Sequence, residues 1–254
     1  MKILKKNIAV LFFMIVVSLS VLACGGQTAK TGEKVLRVGT DPNFPPFEYY
    51  VERVQSHTGF DIDMVNDLGR RMGYERVEFI NMPFDKLLEG LSQKRYDVVA
   101  AGLSITEKRQ QKYAFSEPYV QSRFALMACR GAGRSSMDRK SIGVEAQSSA
   151  EQVAAGYAGV QVKGFENNGA ALQALLDKRC DYLLADEFTC SFYIANGYGE
   201  KVEILEKVGP EDKIGLALRK DDAELLQKIN IALKEHKKSG VYNNLLRFYF
   251  GIHQ

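Results

Sequence analysis

Residues 84–102, "FDKLLEGLSQKRYDVVAAG", and residues 168–186, "NGAALQALLDKRCDYLLAD", decide how this chain folds. Aligned on Lys94-Arg95 and Lys178-Arg179, both stretches carry an amphipathic helix with its leucines in register. Leu88 matches Leu172, and Leu91 matches Leu175. Both continue Lys-Arg-x-Asp and then an apolar strand, so Gly102 falls opposite Asp186. Amphipathic helices resemble one another by chance. The shared Lys-Arg-x-Asp register is what favours two related lobes.

Working outward, "VLRVGTD" (35–41) reads as a strand. "GFDIDMVNDLGRRMGY" (59–74) reads as a helix capped by Asp61, with Ile62, Val65, Leu68 and Met72 on one face and Gly73 at the stop. "RVEFI" (76–80) is a second strand, 84–94 a second helix and "YDVVAAG" (96–102) a third strand. This β-α-β-α-β order predicts a parallel sheet with helices on its faces. In the second half "KSIGVEAQSSAEQ" (140–152) reads as a strand, a polar turn and a helix start. Open α/β sheets bind ligands beyond the carboxyl ends of their strands. Those ends are Thr40-Asp41, Gly102 to Ser104, Glu145 to Ser149, and Asp186, which converge if the lobes face each other. Arg109, the hydroxyls of Ser104 and Ser148, and free N–H groups at helix starts suit an anion; Asp186 and Asp41 suit a cation. A zwitterion presents both.

The chain has 254 residues, 46% hydrophobic, enough for one large domain or two small ones with a packed core. Its net charge of +3 comes from the N-terminus. Three of the 34 basic residues, Lys2, Lys5 and Lys6, lie in residues 1–23, which leaves 31 against 31 acidic residues. A neutral remainder without a basic run gives no reason to expect nucleic acid. "MKILKKN" followed by the apolar run Ile8–Leu22 and "LACGG" reads as an export signal. "SVLAC" looks like a bacterial lipobox with Val21 in place of the usual leucine, and it makes Cys24 the lipidated first residue of the mature chain. The apolar run is short of the roughly 20 residues a membrane helix needs. "GGQTAKTGEK" would serve as a tether. Cys129, Cys180 and Cys190 show no metal-binding spacing; export permits a disulfide, with Cys180–Cys190 one candidate pairing.

"VGTDPNFPPFEYY", "GFDIDMVNDL", "YDVVAAGLSITEKRQQKYAFSEPY", "YLLADE" and "GLALRKDD" together resemble the extracytoplasmic solute-binding proteins of polar amino-acid ABC transporters, family 3. The resemblance runs over roughly residues 35–254, and "AGLSITEKR" with "FSEPY" is its most specific part. It implies a type II periplasmic-binding fold, two α/β lobes joined by two crossover hinge segments that close on a ligand. The divisions it implies are a signal peptide at 1–23, a tether at 24–34, a first lobe from 35–119 and 215–254, a second lobe at 124–209, and hinges at 120–123 and 210–214.

The resemblance also implies site roles. Arg109 would grip an α-carboxylate through its bidentate fork, and without the resemblance a solvated charge would be the plainer reading. Ser104 would assist it. On the second lobe Ser148 and Ser149 stand where relatives carry a Gly-Thr-Thr run, with Gln147 replacing the glycine; both serines equally suit helix caps. Asp186, with the Gly102 carbonyl, would hold the α-ammonium, against an alternative role as N-cap of the following helix. Phe44 and Phe84 would flank the ligand's side chain, unless they simply pack in the core. Asp41 and Glu48 at the rim are compatible with a basic ligand. "PNFPPFE" (42–48), with three prolines, would stiffen the loop that carries Phe44.

The expected function is thus a receptor, not an enzyme, that binds a free amino acid between two lobes without a cofactor. Its partners would be ABC permease subunits and, through Cys24, a bacterial membrane on its extracytoplasmic side; a monomer is expected. The competing reading is an exported dehydratase of the cyclohexadienyl type, with Asp186 or Glu187 as general acid. A sensor would need a signalling segment that is not evident.

Overall fold

The computed structural model describes residues 33–133 and 137–252. The signal segment, Cys24 and nearly all of the tether lie outside the described residues.

The chain opens with β1 (Val35–Thr40), a short antiparallel trio β2 (Asn43–Phe44), β3 (Glu48–Val51) and β4 (Ser56–Thr58), and helix α1 (Phe60–Arg71). It continues with β5 (Arg76–Asn81), α2 (Phe84–Ser92), β6 (Val98–Val99), the single turn α3 (Glu107–Gln110) and β7 (Tyr113–Phe115). The long β8 (Val120–Cys129) leads into a second run of elements. These are β9 (Ser141–Glu145), α4 (Ser149–Ala155), β10 (Gln161–Phe165), α5 (Asn168–Leu176), β11 (Tyr182–Asp186), α6 (Glu187–Tyr193) and β12 (Val202–Ile214). The chain then returns through β13 (Ala217–Arg219), α7 (Ala223–Lys238) and α8 (Gly240–Leu245).

Two five-stranded sheets result. The first runs β5-β1-β6-β13-β7, the second β10-β9-β11-β8-β12. In each, three parallel strands built by α/β crossovers form one side, and antiparallel strands complete the other. Strands β9 and β11 are buried along their whole length, as expected of parallel strands covered on both faces. Apolar side chains fill both faces of the second sheet; Leu172, Leu175 and Leu183 lie on one, Ile142, Val144 and Leu184 on the other. The first lobe buries Leu36, Val38, Leu68 and Leu233 in one cluster and Leu87, Leu91 and Val99 in another.

The repeat read from sequence is present atom by atom. Lys94 and Lys178 both take left-handed backbone, φ 60° and 59°, just past the ends of α2 and α5. Arg95 N donates to Gly90 O and Arg179 N to Ala174 O; Lys94 N donates to Leu91 O and Lys178 N to Leu175 O. This is the same C-terminal capping pattern twice. Each Asp of Lys-Arg-x-Asp then clasps the first parallel strand of its lobe. Asp97 accepts from Arg37 N at 3.2 Å and Asp181 from Ser141 N at 2.9 Å. Gly39 on β1 packs against Tyr96, and Gly143 on β9 against Cys180. The equivalence therefore carries Arg37 onto Ser141, Gly39 onto Gly143 and Asp41 onto Glu145.

Three expectations change. Asp61 is not the cap of α1. Gly59 holds the N-cap position, and Asp61 lies in the first turn, 0% exposed, accepting from Gly102 N (2.9 Å) and Tyr119 O–H (2.6 Å). It ties the site loop to the start of β8 instead. The third strand is only two residues long, because the chain turns away after Ala100 N bonds Gly39 O. Cys180 and Cys190 are both buried free thiols, and Cys129 is free as well. The Gly73 stop holds: the glycine has φ +73° directly after the C-cap, Met72.

Candidate ligand-binding site

The loop after β6 begins at Gly102, with φ +51°. A Cβ there would stand 2.3 Å from Phe44 Cε1, so backbone conformation and the close aromatic ring both require glycine. Ser104 is 6% exposed, bridges backbone to Ile214 at the end of β12, and donates its hydroxyl to Asp212 at 2.6 Å. Thr106 caps α3, accepting from Arg109 N at 3.3 Å. The Arg109 guanidinium donates to Ser104 O (2.9 Å), lies 3.5 Å from Ser149 Oγ of the second lobe, and sits 5.7 Å from the centre of the Phe84 ring. Burial lowers its pKa to about 10, opposed by the nearby Asp212 and Glu145 carboxylates. It remains a cation at neutral pH.

On the second lobe β9 ends at Glu145, and Gln147 takes the left-handed backbone, φ 61°, that glycine would supply. Its N–H donates to Glu151 Oε2 at 2.8 Å, so the loop closes without the glycine of the Gly-Thr-Thr pattern. Ser148 caps α4 through Glu151 N and donates to Glu145 O at 2.7 Å. The cap reading of Ser148 is therefore realised. So is that of Asp186: one oxygen accepts from Phe188 N and Thr189 N, and the other from the Ser122 hydroxyl. Asp186 is 5% exposed, and burial pushes its pKa up to about 7, with Asp212 adding to the rise.

These residues meet at one small cavity of about 30 Å³, room for a water molecule or two. Phe44, Phe84, Gly102 and Ser104 line it from the first lobe, and Ser148, Ser149 and Asp186 from the second. Arg109 stands behind Ser104 and Ser149, in an adjoining groove that also contains Phe84 and Ser148. Asp41 is 5% exposed and lines a neighbouring opening between the lobes with Asn81 and Glu166. Its carboxylate accepts from Asn43 Nδ2 (2.7 Å) and Phe84 N (2.9 Å). Glu48 is not at the rim. It is 0% exposed, neither oxygen has a hydrogen-bond partner among the described residues, and burial, with the Asp61 charge nearby, drives its pKa well up. Phe44 also stacks on Phe47 at 5.0 Å, which anchors its ring from behind.

Phe124, Ala150, Asn168 and Asp212 also line the cavity and were not singled out from sequence, and Glu145 was named there only as the end of its strand. Asp212 lies in the segment expected only to cross between lobes, and nothing in its local sequence marks it. Glu145 did carry a signal, since it ends the strand equivalent to β1 and so matches Asp41. The β8–β12 ladder brings Ser122 opposite Asp212. Each holds one site residue, Ser122 bonding Asp186 and Asp212 bonding Ser104.

The sequence pattern of the bacterial extracellular solute-binding proteins, family 3, matches residues 36–252. The chain belongs to this family. Among relatives of this family-3 protein, the L-cystine-binding protein TcyA of Bacillus subtilis (strain 168) is 29% identical over 268 residues, covering 97% of this chain and 98% of TcyA. An ancestral arginine-binding protein, solved with arginine bound, superposes with a TM-score of 0.80 at 36% identity, over 86% of this chain and 99% of that one. The ancestral amino-acid-binding protein AncCDT-1, described as a precursor of cyclohexadienyl dehydratase, superposes at 0.78 with 29% identity, over 85% and 96%. Family-3 proteins are extracellular, and among the described residues no helix is long and apolar enough to cross a membrane.

Proposed function

We propose that this chain is an extracytoplasmic receptor that binds one free amino acid between its lobes and delivers it to an ABC permease, anchored through lipid on Cys24. The observation that carries the reading is the split of charge around the cavity. Arg109 stands in the groove beside the cavity with its guanidinium against the Ser149 hydroxyl, and Asp186 and Asp212 line the cavity itself. An α-carboxylate placed against Arg109 would gain a bidentate, charge-assisted pair in a buried setting. The α-ammonium would come to Asp186, whose burial makes its ionised form costly without a nearby cation. Ordering is supported by the Ser122–Asp186 and Ser104–Asp212 bonds, which tie one residue of each lobe to the paired strands.

Those strands are the natural hinge. Residues 120–123 and 210–214 pair across a register irregularity between Val208 and Asp212. Opening about them would separate 35–119 and 215–254 from 124–209 and part the Arg109–Ser149 contact. A receptor is favoured over a dehydratase by what the two nominated acids do. Asp186 has both oxygens engaged in the α6 cap and the Ser122 bond, and Glu187 is paired with Lys207. Neither is positioned as a free proton donor over a bound ring.

A thermal-shift panel of the common amino acids tests the reading. A ligand at 100 times its Kd stabilises by about 2.7 kcal/mol. A flat response to every amino acid would sink it, and turnover of prephenate or arogenate would replace it with the enzyme.

A further inference from the structure

Helix α6 follows directly on Asp186, and its side chains divide between the lobes. Cys190 and Tyr193, three residues apart, pack into the second lobe's own core. Phe188 and Phe192, four apart, reach rings of the first lobe. Phe188 lies 4.4 Å, centre to centre, from Phe250 of the C-terminal turn Leu246–Phe250, and 6.3 Å, edge on, from Phe47. Phe192 lies 5.4 Å from Tyr49 on β3. Phe47 is fully buried in the first lobe's main cluster with Leu36, Val38 and Phe60. Among the described residues, Phe188 is the one side chain from 124–209 that packs against that cluster. At both ends the contact reaches the cavity. Phe47 stacks on Phe44, which lines it, and the Phe188 N–H donates to the Asp186 carboxylate at 2.8 Å.

Ring and carboxylate are therefore one rigid piece. The cap bond spans two residues, so a seated Phe188 ring fixes where Asp186 stands. The seat belongs to the first lobe, which also carries Gly102, Ser104 and Arg109. We infer that Phe188 is a positioning residue for ligand capture: its ring seats against Phe47 and Phe250 as the lobes close, and so sets the Asp186 carboxylate against the first lobe's half of the cavity. Opening about the hinge unseats the ring, because the two sides of the contact lie in different lobes. It also returns apolar ring surface to water. Part of the free energy of closure then comes from rings that never touch the ligand. Phe192 on Tyr49 adds to the same contact one turn further along α6. This inference rests on the receptor reading above.

The chain contains no tryptophan, so Phe188→Trp puts its sole indole at the seat. The adjoining opening, about 350 Å³ and lined by Phe192, Phe248 and Phe250, leaves room for the larger ring. The probe is an equimolar mixture of the common amino acids with L-cystine, added to the full chain. Indole emission should move to shorter wavelength and become less accessible to acrylamide when the mixture is added. Phe192→Trp, one turn along, should report the same change and serves where Phe188→Trp folds poorly. Phe188→Leu should weaken apparent affinity in thermal-shift titrations by about tenfold, or about 1.4 kcal/mol, with the unliganded Tm nearly unchanged. Emission that stays put while the mixture raises Tm overturns the inference. So does a Phe188→Leu protein that loses unliganded stability and keeps its affinity, which would make the ring a plain core residue. A wild-type Tm that the mixture leaves unmoved overturns the receptor reading itself, and the inference falls with it.

Discussion

The two lobes share a plan and differ at the ends of their strands. Helix caps at Lys94 and Lys178, clasps at Asp97 and Asp181, and close-packed glycines at 39 and 143 recur in the same places. At the cavity the symmetry fails. The first lobe offers Gly102, whose missing side chain admits Phe44, and a cation at Arg109. The second offers Asp186 at the position of Gly102 and caps two of its three helices, α4 and α6, with the site residues Ser148 and Asp186. The repeated parts hold each lobe together, and the parts that differ lie at the cavity. A repeated frame can thus present opposite charges to the two ends of one small molecule.

The largest effect should follow from removing the first lobe's cation. Arg109→Ala is expected to weaken amino-acid binding by a factor of a hundred or more, consistent with the roughly 2–5 kcal/mol lost when one member of a buried charge pair is truncated. The fold should survive, because the side chain's own bonds are to the Ser104 carbonyl and, at 3.5 Å, to Ser149. Calorimetry showing unchanged affinity with native circular dichroism would break the assignment of the two charges to the two lobes.

The second lobe's carboxylates make the next prediction. Burial raises Asp186 to about 7 and Glu145 to about 8, and Asp61 in the first lobe also reaches about 7. A carboxyl whose pKa is higher folded than unfolded contributes stability below the unfolded value. That contribution is lost as pH rises through the folded one. His236, whose pKa burial lowers, has the opposite sign, but it acts at and below its ordinary value near 6.5. Between pH 6.5 and 8 the unliganded protein should therefore lose on the order of 2 kcal/mol. Denaturant titrations across that window measure it. Asp186→Asn should flatten the slope by roughly a quarter, leaving the Glu145 and Asp61 shares; an unchanged slope would show that Asp186 is ionised throughout.

The parts legible in sequence were those written in local pattern. The strand and helix order, the Gly73 stop, the Thr106 cap and the Lys-Arg-x-Asp repeat each depend on residues a few places apart. Arg109, Ser104 and Asp186 were nominated because motif and strand end coincided, and the fold sets Ser104 and Asp186 on one cavity and Arg109 in the groove beside it. What escaped depends on distant pairing. Asp212 reaches the cavity only because β12 runs antiparallel to β8 and sets it opposite Ser122. Glu48 looked exposed beside prolines, yet the β2–β3–β4 ribbon folds it inward against Asp61. Asp61 occupied a cap-like place in sequence, but its side chain was claimed by Gly102 and Tyr119, 41 and 58 residues away.

The smallest effect tests whether the shared frame is also shared in stability. Lys94 and Lys178 are exposed and hold φ near 60°. Left-handed backbone costs a non-glycine residue roughly 1–2 kcal/mol, while glycine gives back some 0.5–1 kcal/mol through its freer unfolded chain. Lys94→Gly and Lys178→Gly should each stabilise their own cap by about 0.5–1 kcal/mol, or about 1–4 °C in Tm for a chain of this size. Scanning calorimetry reads more than the size of the gain. If the lobes unfold as one unit, the two substitutions raise a single transition equally, because either cap counts toward the same free energy. If one lobe melts first, only the glycine placed in that lobe moves the first transition, and the other shifts a later one. Equal gains would mean that the paired strands β8 and β12 couple the lobes in stability as well as in geometry. Unequal gains would identify the lobe that opens first when no ligand holds the cavity shut.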